Sequence, residues 1–177
     1  MRRRIAVCAL APIAFGGVLS ASGIAQTYKK VLIDNDGLLN ITLEHGSLVR
    51  PEKLPDQIAF GSAAISPDHR TVGWLALYPD NSCSHCEAPC LAGTLVLYRK
   101  DRVLHQFSTA QVFWDWQFWD KGKRVGYSTG PTHGGAGQCL LRDVETGAIV
   151  SRWLVPRPSN SNLLPSQPPK WAEKLRY

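Results

Sequence analysis

Gln111 to Tyr127 reads QVFWDWQFWDKGKRVGY, and the interpretation of this stretch decides the fold. Its first half alternates. Val112, Trp114, Trp116 and Phe118 fall on one side, and Gln111, Phe113, Asp115, Gln117 and Trp119 on the other. A period of two with three tryptophans in nine residues predicts a strand buried on one face. Asp120-Lys121-Gly122-Lys123 then supplies a turn, and Arg124-Val125-Gly126-Tyr127 starts the return strand.

The same layout occurs earlier. Ile65 to Trp74 (ISPDHRTVGW) aligns without gaps on Phe118 to Tyr127 (FWDKGKRVGY) at an offset of 53 residues. Each return strand leads to a long loop, Pro79 to Ala92 in the first unit and Gly130 to Gly137 in the second, and each unit closes on a hairpin. Leu95–Tyr98 with Val103–Phe107 forms the first hairpin, and Leu140–Arg142 with Ala148–Trp153 the second. Four strands per unit at this period is the signature of a propeller blade. The competing interpretation, two chance-similar hairpins of a sandwich, does not account for a match at both turn and return strand.

Ile65-Ser66-Pro67-Asp68-His69-Arg70-Thr71-Val72 resembles the F-S-P-D-G-K/R-x-hydrophobic motif of TolB-type and WD-repeat-like propeller blades. Arg142-Asp143-Val144-Glu145-Thr146-Gly147 resembles the W-D-x-x-T-G end of such blades. The resemblance covers roughly residues 57–153, implies a blade fold, and says little about chemistry. His69 stands where the family has glycine, at a turn that needs positive φ, which histidine tolerates better than most residues.

Working outward, the expectation is an all-β chain. It comprises two four-stranded antiparallel propeller-like blades (57–110 and 111–155) plus N-terminal strands and a hairpin (26–56), making an incomplete propeller. Closed propellers have at least four blades, so faces are left open. Self-association or a protein partner would cover them, or else the N-terminal hairpin and the tail. The tail, 156–177, begins proline-rich and ends in Lys170-Trp171-Ala172-Glu173-Lys174-Leu175, where Trp171 and Leu175 share one face of a helical turn. Gly73 and Gly126 mark either bulges or places where a neighbouring blade approaches closely.

The N-terminus has the three parts of a secretory signal. Arg2-Arg3-Arg4 precedes an apolar run from Ile5 to Leu19, followed by small residues with cleavage after Ala25 or Ser22. The apolar run falls short of the roughly 20 residues that a membrane span needs, so the chain is expected to be periplasmic or secreted, with no span in its mature part. Of 20 basic residues, the three leader arginines would be lost, leaving 17 against 14 acidic. They are scattered at turns, which argues against nucleic acid as a partner.

The mature part keeps Cys83, Cys86, Cys90 and Cys139. Four cysteines in an exported chain predict two disulfides, one joining the Cys83–Cys90 loop to Cys139. Closing that loop of about 50 residues would add about 4 kcal/mol. The alternative is chemical: three thiols with His85 in eight residues, and His133 in the matching loop, suit a metal or thiol-redox site. The spacing is neither a zinc ribbon nor a haem attachment motif, and no helix follows to lower a thiol pKa. No metal ligand set or cofactor is therefore assigned.

Gly130 to Gly137 lacks the following helix of a phosphate cradle. Catalysis by His133 would need a partner such as Asp115 or Ser128, and no nucleophile motif accompanies it. Of the tryptophans, Trp74, Trp114, Trp116 and Trp153 read as core. Trp119, opposite in phase and beside a turn, is the candidate for binding together with His85 and His133. The sequence points to a binding or interaction module rather than an enzyme.

Overall fold

A computed structural model describes residues 26–79, 91–131, 136–155 and 167–176, with the side chains of 91 and 92 excepted. Among these, the chain is all β, in three antiparallel sheets that do not close into a barrel. The first sheet holds β1 (Tyr28–Ile33), β2 (Leu39–Leu43) and β3 (Leu48–Val49). The second holds β4 (Ala59–Ile65), β5 (Val72–Pro79), β6 (Leu91–Arg99) and β7 (Arg102–Ser108). The third holds β8 (Val112–Trp119), β9 (Arg124–Gly130), β10 (Gln138–Asp143) and β11 (Ile149–Leu154). Each runs in chain order from one edge to the other, so every strand pairs with its sequence neighbour. The expected N-terminal strand and hairpin thus pair into one three-stranded sheet. The second sheet's return strand runs on to Pro79, which pairs with Leu91, so the long loop is shorter at both ends than its composition suggests.

The 53-residue repeat holds pair by pair. Ile65 faces Val72 and Ala64 faces Gly73 in the second sheet, as Phe118 faces Val125 and Gln117 faces Gly126 in the third. Beyond them each first strand carries a one-residue bulge at the equivalent place, between Phe60 and Ala63 and between Phe113 and Asp115. A bulge shifts the side-chain phase, since alternation counts every residue. This corrects the simple alternation of Gln111–Trp119. Phe113 joins Trp116 and Phe118 against the second sheet. Trp114 goes to the opposite side, its ring over Gly130 and Gly137.

The equivalent turns share their last position, although Asp120 (φ 51°) and Lys121 (φ 53°) are left-handed as well where Pro67 and Asp68 are not. His69 (φ 60°) and Gly122 (φ 90°) occupy matching positions with left-handed backbone. His69 offsets that cost through Nδ1, 2.9 Å from the Tyr28 carbonyl oxygen, while its own carbonyl accepts from Tyr28 N–H at 2.8 Å. Gly122 has a further constraint, because a Cβ there would lie 2.8 Å from Asp68 Oδ1 in the neighbouring turn. Gly122→Ala is therefore expected to lower stability by about 1–3 kcal/mol. His69→Gly should change it by less than about 1 kcal/mol, the relieved backbone offsetting the lost bond. Urea unfolding of the two variants checks the contrast.

The sheets stack face to face. Between first and second lie Tyr28, Leu39, Ile41 and Leu43 against Phe60, Val72, Trp74, Ala76, Val96 and Tyr98. Between second and third lie Leu95, Leu97 and Phe107 against Phe113, Trp116, Val125, Tyr127, Leu140 and Val144. The second sheet is thus buried on both faces, which is why β5 and β6 read as nearly continuous apolar runs. Arg142 crosses the second gap, its guanidinium 4.6 Å from the Phe107 ring centre and donating to Tyr127 Oη at 2.8 Å.

The two terminal faces are finished differently. On the first sheet, Lys30, Asn40 and Thr42 alternate with the inward residues. Asn40, itself buried, donates to Asp34 at 2.7 Å and accepts from Arg50 at 2.8 Å, so this face carries a polar network beside the exposed Lys30. On the third sheet, the C-terminal segment docks. Trp171, Ala172 and Leu175 are buried with Cys139 and Leu141, flanked by Trp119, Trp153 and Val155. The expected helical end is two overlapping turns instead, in which Glu173 N–H donates to the Pro169 carbonyl and Leu175 N–H to that of Ala172. Among the described residues no helix is long and apolar enough to cross a membrane.

Tyrosines in these gaps make the fold sensitive to alkali. Burial, reinforced by the Asp101 carboxylate, pushes the Tyr98 phenol from 10.0 up to about 12, and burial raises Tyr28 and Tyr78 as well. A phenol whose folded pKa lies above its unfolded value stays protonated in the fold while the unfolded chain ionises. Its contribution is therefore complete below pH 10 and is lost as pH climbs toward 12. The urea midpoint is expected to fall through that window, and Tyr98→Phe to flatten the fall.

Candidate functional site

Contacts between the sheets fix which ends lie together. The turn after β8 touches the turn after β4, through Gly122 and Asp68. At the far end, Phe113 of β8 lies over Gly93 of β6. The second and third sheets therefore run in the same direction, and the β5–β6 and β9–β10 connections leave from the same end. Those connections carry Cys83, His85, Cys86, Cys90 and His133, all outside the described residues.

The strand ends beneath them are polar. Thr94 Oγ1 and Ser108 Oγ are 3.0 Å apart, and Thr129 donates to Gln111 Oε1 at 3.3 Å. Tyr78 also belongs here; burial raises its phenol, against the opposing effect of a hydrogen bond with Thr94. Thr94 and Tyr78 belong to the gap between first and second sheets and Thr129 to that between second and third, so each gap ends in buried hydrogen-bonded hydroxyls at the loop end. Rigid strands presenting variable loops are the usual way a β-scaffold displays a recognition surface.

Cys139 stands at the foot of the second loop, yet it points away. It alternates with Leu140, so its side chain enters the layer under the C-terminal segment, where it is fully buried and free. The cysteines expected to bridge to it, Cys83, Cys86 and Cys90, lie outside the described residues. Burial pushes the Cys139 thiol from 9.0 up to about 11, which disfavours the thiolate that either metal binding or redox exchange needs. With Cys139 sequestered, any bridge within the Cys83–Cys90 loop leaves one of its three cysteines over. Among the described residues no group of three or more His, Cys, Asp or Glu side chains is placed to hold a metal.

Trp119 lies in the same layer as Cys139, part-buried, with Lys174 Nζ 5.6 Å from its ring centre. The two residues considered as partners for His133 are already engaged with the tail. Asp115 Oδ2 accepts from Arg176 N–H at 3.1 Å, and Ser128 Oγ donates to the Arg176 carbonyl at 2.6 Å. Pairwise capture of one residue's backbone by two side chains has no signature in the sequence, where Asp115 reads only as the polar member of an alternating strand.

On the turn end, Gln26, Arg70, Arg99 and Lys100 line a notch of about 180 Å³. Arg99 is committed to Thr71 Oγ1 and to the Glu145 carboxylate, which ties the outer edges of the second and third sheets. No known family model matches this chain, and no curated protein matches it.

Proposed function

We propose that this chain is an exported binding module of propeller-like build, with its recognition surface at the end of the stacked sheets from which the β5–β6 and β9–β10 connections leave. The observation that carries this reading is the shared direction of the second and third sheets, which delivers both long connections to one polar end. The partner class favoured by such a surface is another protein of the same compartment. Photo-crosslinking residues placed at Ser84 and at Thr132 in the exported chain are expected to trap that partner. The same probe at Lys30, exposed on the outer face of the first sheet, should trap nothing. Crosslinks at Lys30 with none at the loops would contradict the proposal.

A second reading, metal binding or thiol redox chemistry on the Cys83–Cys90 loop, draws on the same geometry, because the strand ends bring that loop and the segment holding His133 to one end. Thiol titration of the denatured protein separates the two. Two free thiols with no bound zinc or copper agree with the binding module. Four free thiols with stoichiometric metal in the native protein favour the second reading.

A further inference from the structure

The two gaps on either side of the third sheet are built alike. In the gap between second and third sheets, the Trp116 ring sits on Gly73 beside Leu97; a Cβ on Gly73 would lie 2.7 Å from that ring and 3.3 Å from Leu97 Cδ2. On the other side of the third sheet, the Trp171 ring sits on Gly126 beside Leu141, at 3.6 and 3.7 Å from the same constructed position. Gly126 is the repeat equivalent of Gly73, and Leu141 pairs with Gly126 as Leu97 pairs with Gly73. Trp171 thus takes the place on the third sheet that the first-strand tryptophan of a further sheet would take.

The tail is held there by a small set of contacts. Trp171, Ala172 and Leu175 fill the apolar layer. Asp115 and Ser128 grip both backbone polar groups of Arg176, contacts that any residue except proline at that position would satisfy. Lys174 lies over Trp119, and the Arg176 guanidinium comes within 3.9 Å of Asp115 Oδ2. An aromatic socket next to a backbone grip is how a surface reads a short peptide: the socket supplies affinity and the grip fixes register.

We infer that the outer face of the third sheet is a peptide-binding site, and that the chain's own C-terminus is its resident competitor. The occupant it fits is a turn-forming segment of another polypeptide with Trp and Leu four residues apart and a basic residue beside the Leu. The site is separate from the loop end and does not depend on the loops binding anything. A tethered tail acts at an effective concentration on the order of millimolar, so an outside segment gains entry only when the tail is weakened or out-competed.

The test uses a fluorescent peptide of sequence Gln167–Tyr177 and the full chain. Wild type is expected to bind it roughly 100-fold more weakly than Trp171→Ala, whose tail no longer fills the socket. A peptide that keeps Trp171, Ala172 and Leu175 but changes the other side chains should bind Trp171→Ala nearly as well. The same peptide with Trp171 replaced by Ala should not bind.

If Trp171→Ala does not fold, wild type carrying a protease site at 160–161 is cut after folding, and exchange of the cut tail for labelled peptide is followed. Three results overturn the inference. They are no binding by folded Trp171→Ala and no exchange by the cut protein; equal binding to wild type and Trp171→Ala; or dimers that swap tails while ignoring added peptide.

Discussion

Trp116→Ala is expected to be among the most damaging single substitutions in the chain, costing about 3–5 kcal/mol. The indole is 7 % exposed, fills the gap between second and third sheets, packs edge-on to Phe118 at 5.6 Å, and donates from Nε1 to Ser62 Oγ at 2.8 Å. Removing it leaves a cavity between two sheets whose backbones are fixed by their own ladders, and Ser62 loses its partner. Gly73→Ala attacks the same contact from the other side. Its new Cβ would fall 2.7 Å from the indole, and overpacking of this kind costs about 1–3 kcal/mol. The informative result is the double variant. With the ring gone, the added methyl has room, so Gly73→Ala should cost little or become mildly favourable in the Trp116→Ala background. The coupling is expected to exceed about 1 kcal/mol. Urea unfolding of the four proteins measures it, and simple additivity would show that the two residues do not meet.

Trp171→Ala should release the tail while leaving the three sheets paired. The segment contributes Trp171, Ala172 and Leu175 to a layer whose other half belongs to the third sheet. Losing a buried indole costs about 3–5 kcal/mol, more than a short segment with two polar clamps is expected to withstand. The consequence is chemical as well as energetic. Cys139 is buried chiefly by that layer, and burial alone holds its thiol near 11. Undocking should bring the thiol back toward 9.0 and expose it, so that alkylation at pH 8 accelerates by at least roughly tenfold, following the thiolate fraction. Mass mapping of the Cys139 peptide separates this site from the loop cysteines. An unchanged alkylation rate with the tail demonstrably mobile would mean that something else protects Cys139.

Much of this architecture is legible in the residues. Ser66 to Arg70 and Asp120 to Lys123 announce their turns through turn-forming residues, and the ungapped match places the two return strands in equivalent positions, where the pairs Ile65–Val72 and Phe118–Val125 correspond. The bulges were not legible. Inserting one residue into a strand changes no composition, yet it sends Trp114 to the far face and brings Phe113 to the near one. The burial of Cys139 behind the docked indole was not legible either, because a count of thiols says nothing of which cysteine lies in a core layer. The docking itself lay within reach: Trp171 and Leu175 share a face, and Gly126 repeats Gly73. What no pattern in the chain reveals is that Asp115 and Ser128, thirteen residues apart in sequence and paired in the sheet, close together on the Arg176 backbone.

The candidate site is less legible than the fold, because its chemistry resides in loops that follow no period. The strands show from which end the β5–β6 and β9–β10 connections leave, and crosslinking tests the proposed partner.

The third sheet is covered on both faces in the same way, by Trp116 inside and Trp171 outside. Nuclear Overhauser contacts in isotope-labelled full-length protein measure this. Contacts are expected from the Trp116 indole to the Gly73 α-protons and the Leu97 methyls, and an equivalent set from the Trp171 indole to the Gly126 α-protons and the Leu141 methyls. Trp116 contacts without any from Trp171 to Gly126 or Leu141 would contradict it.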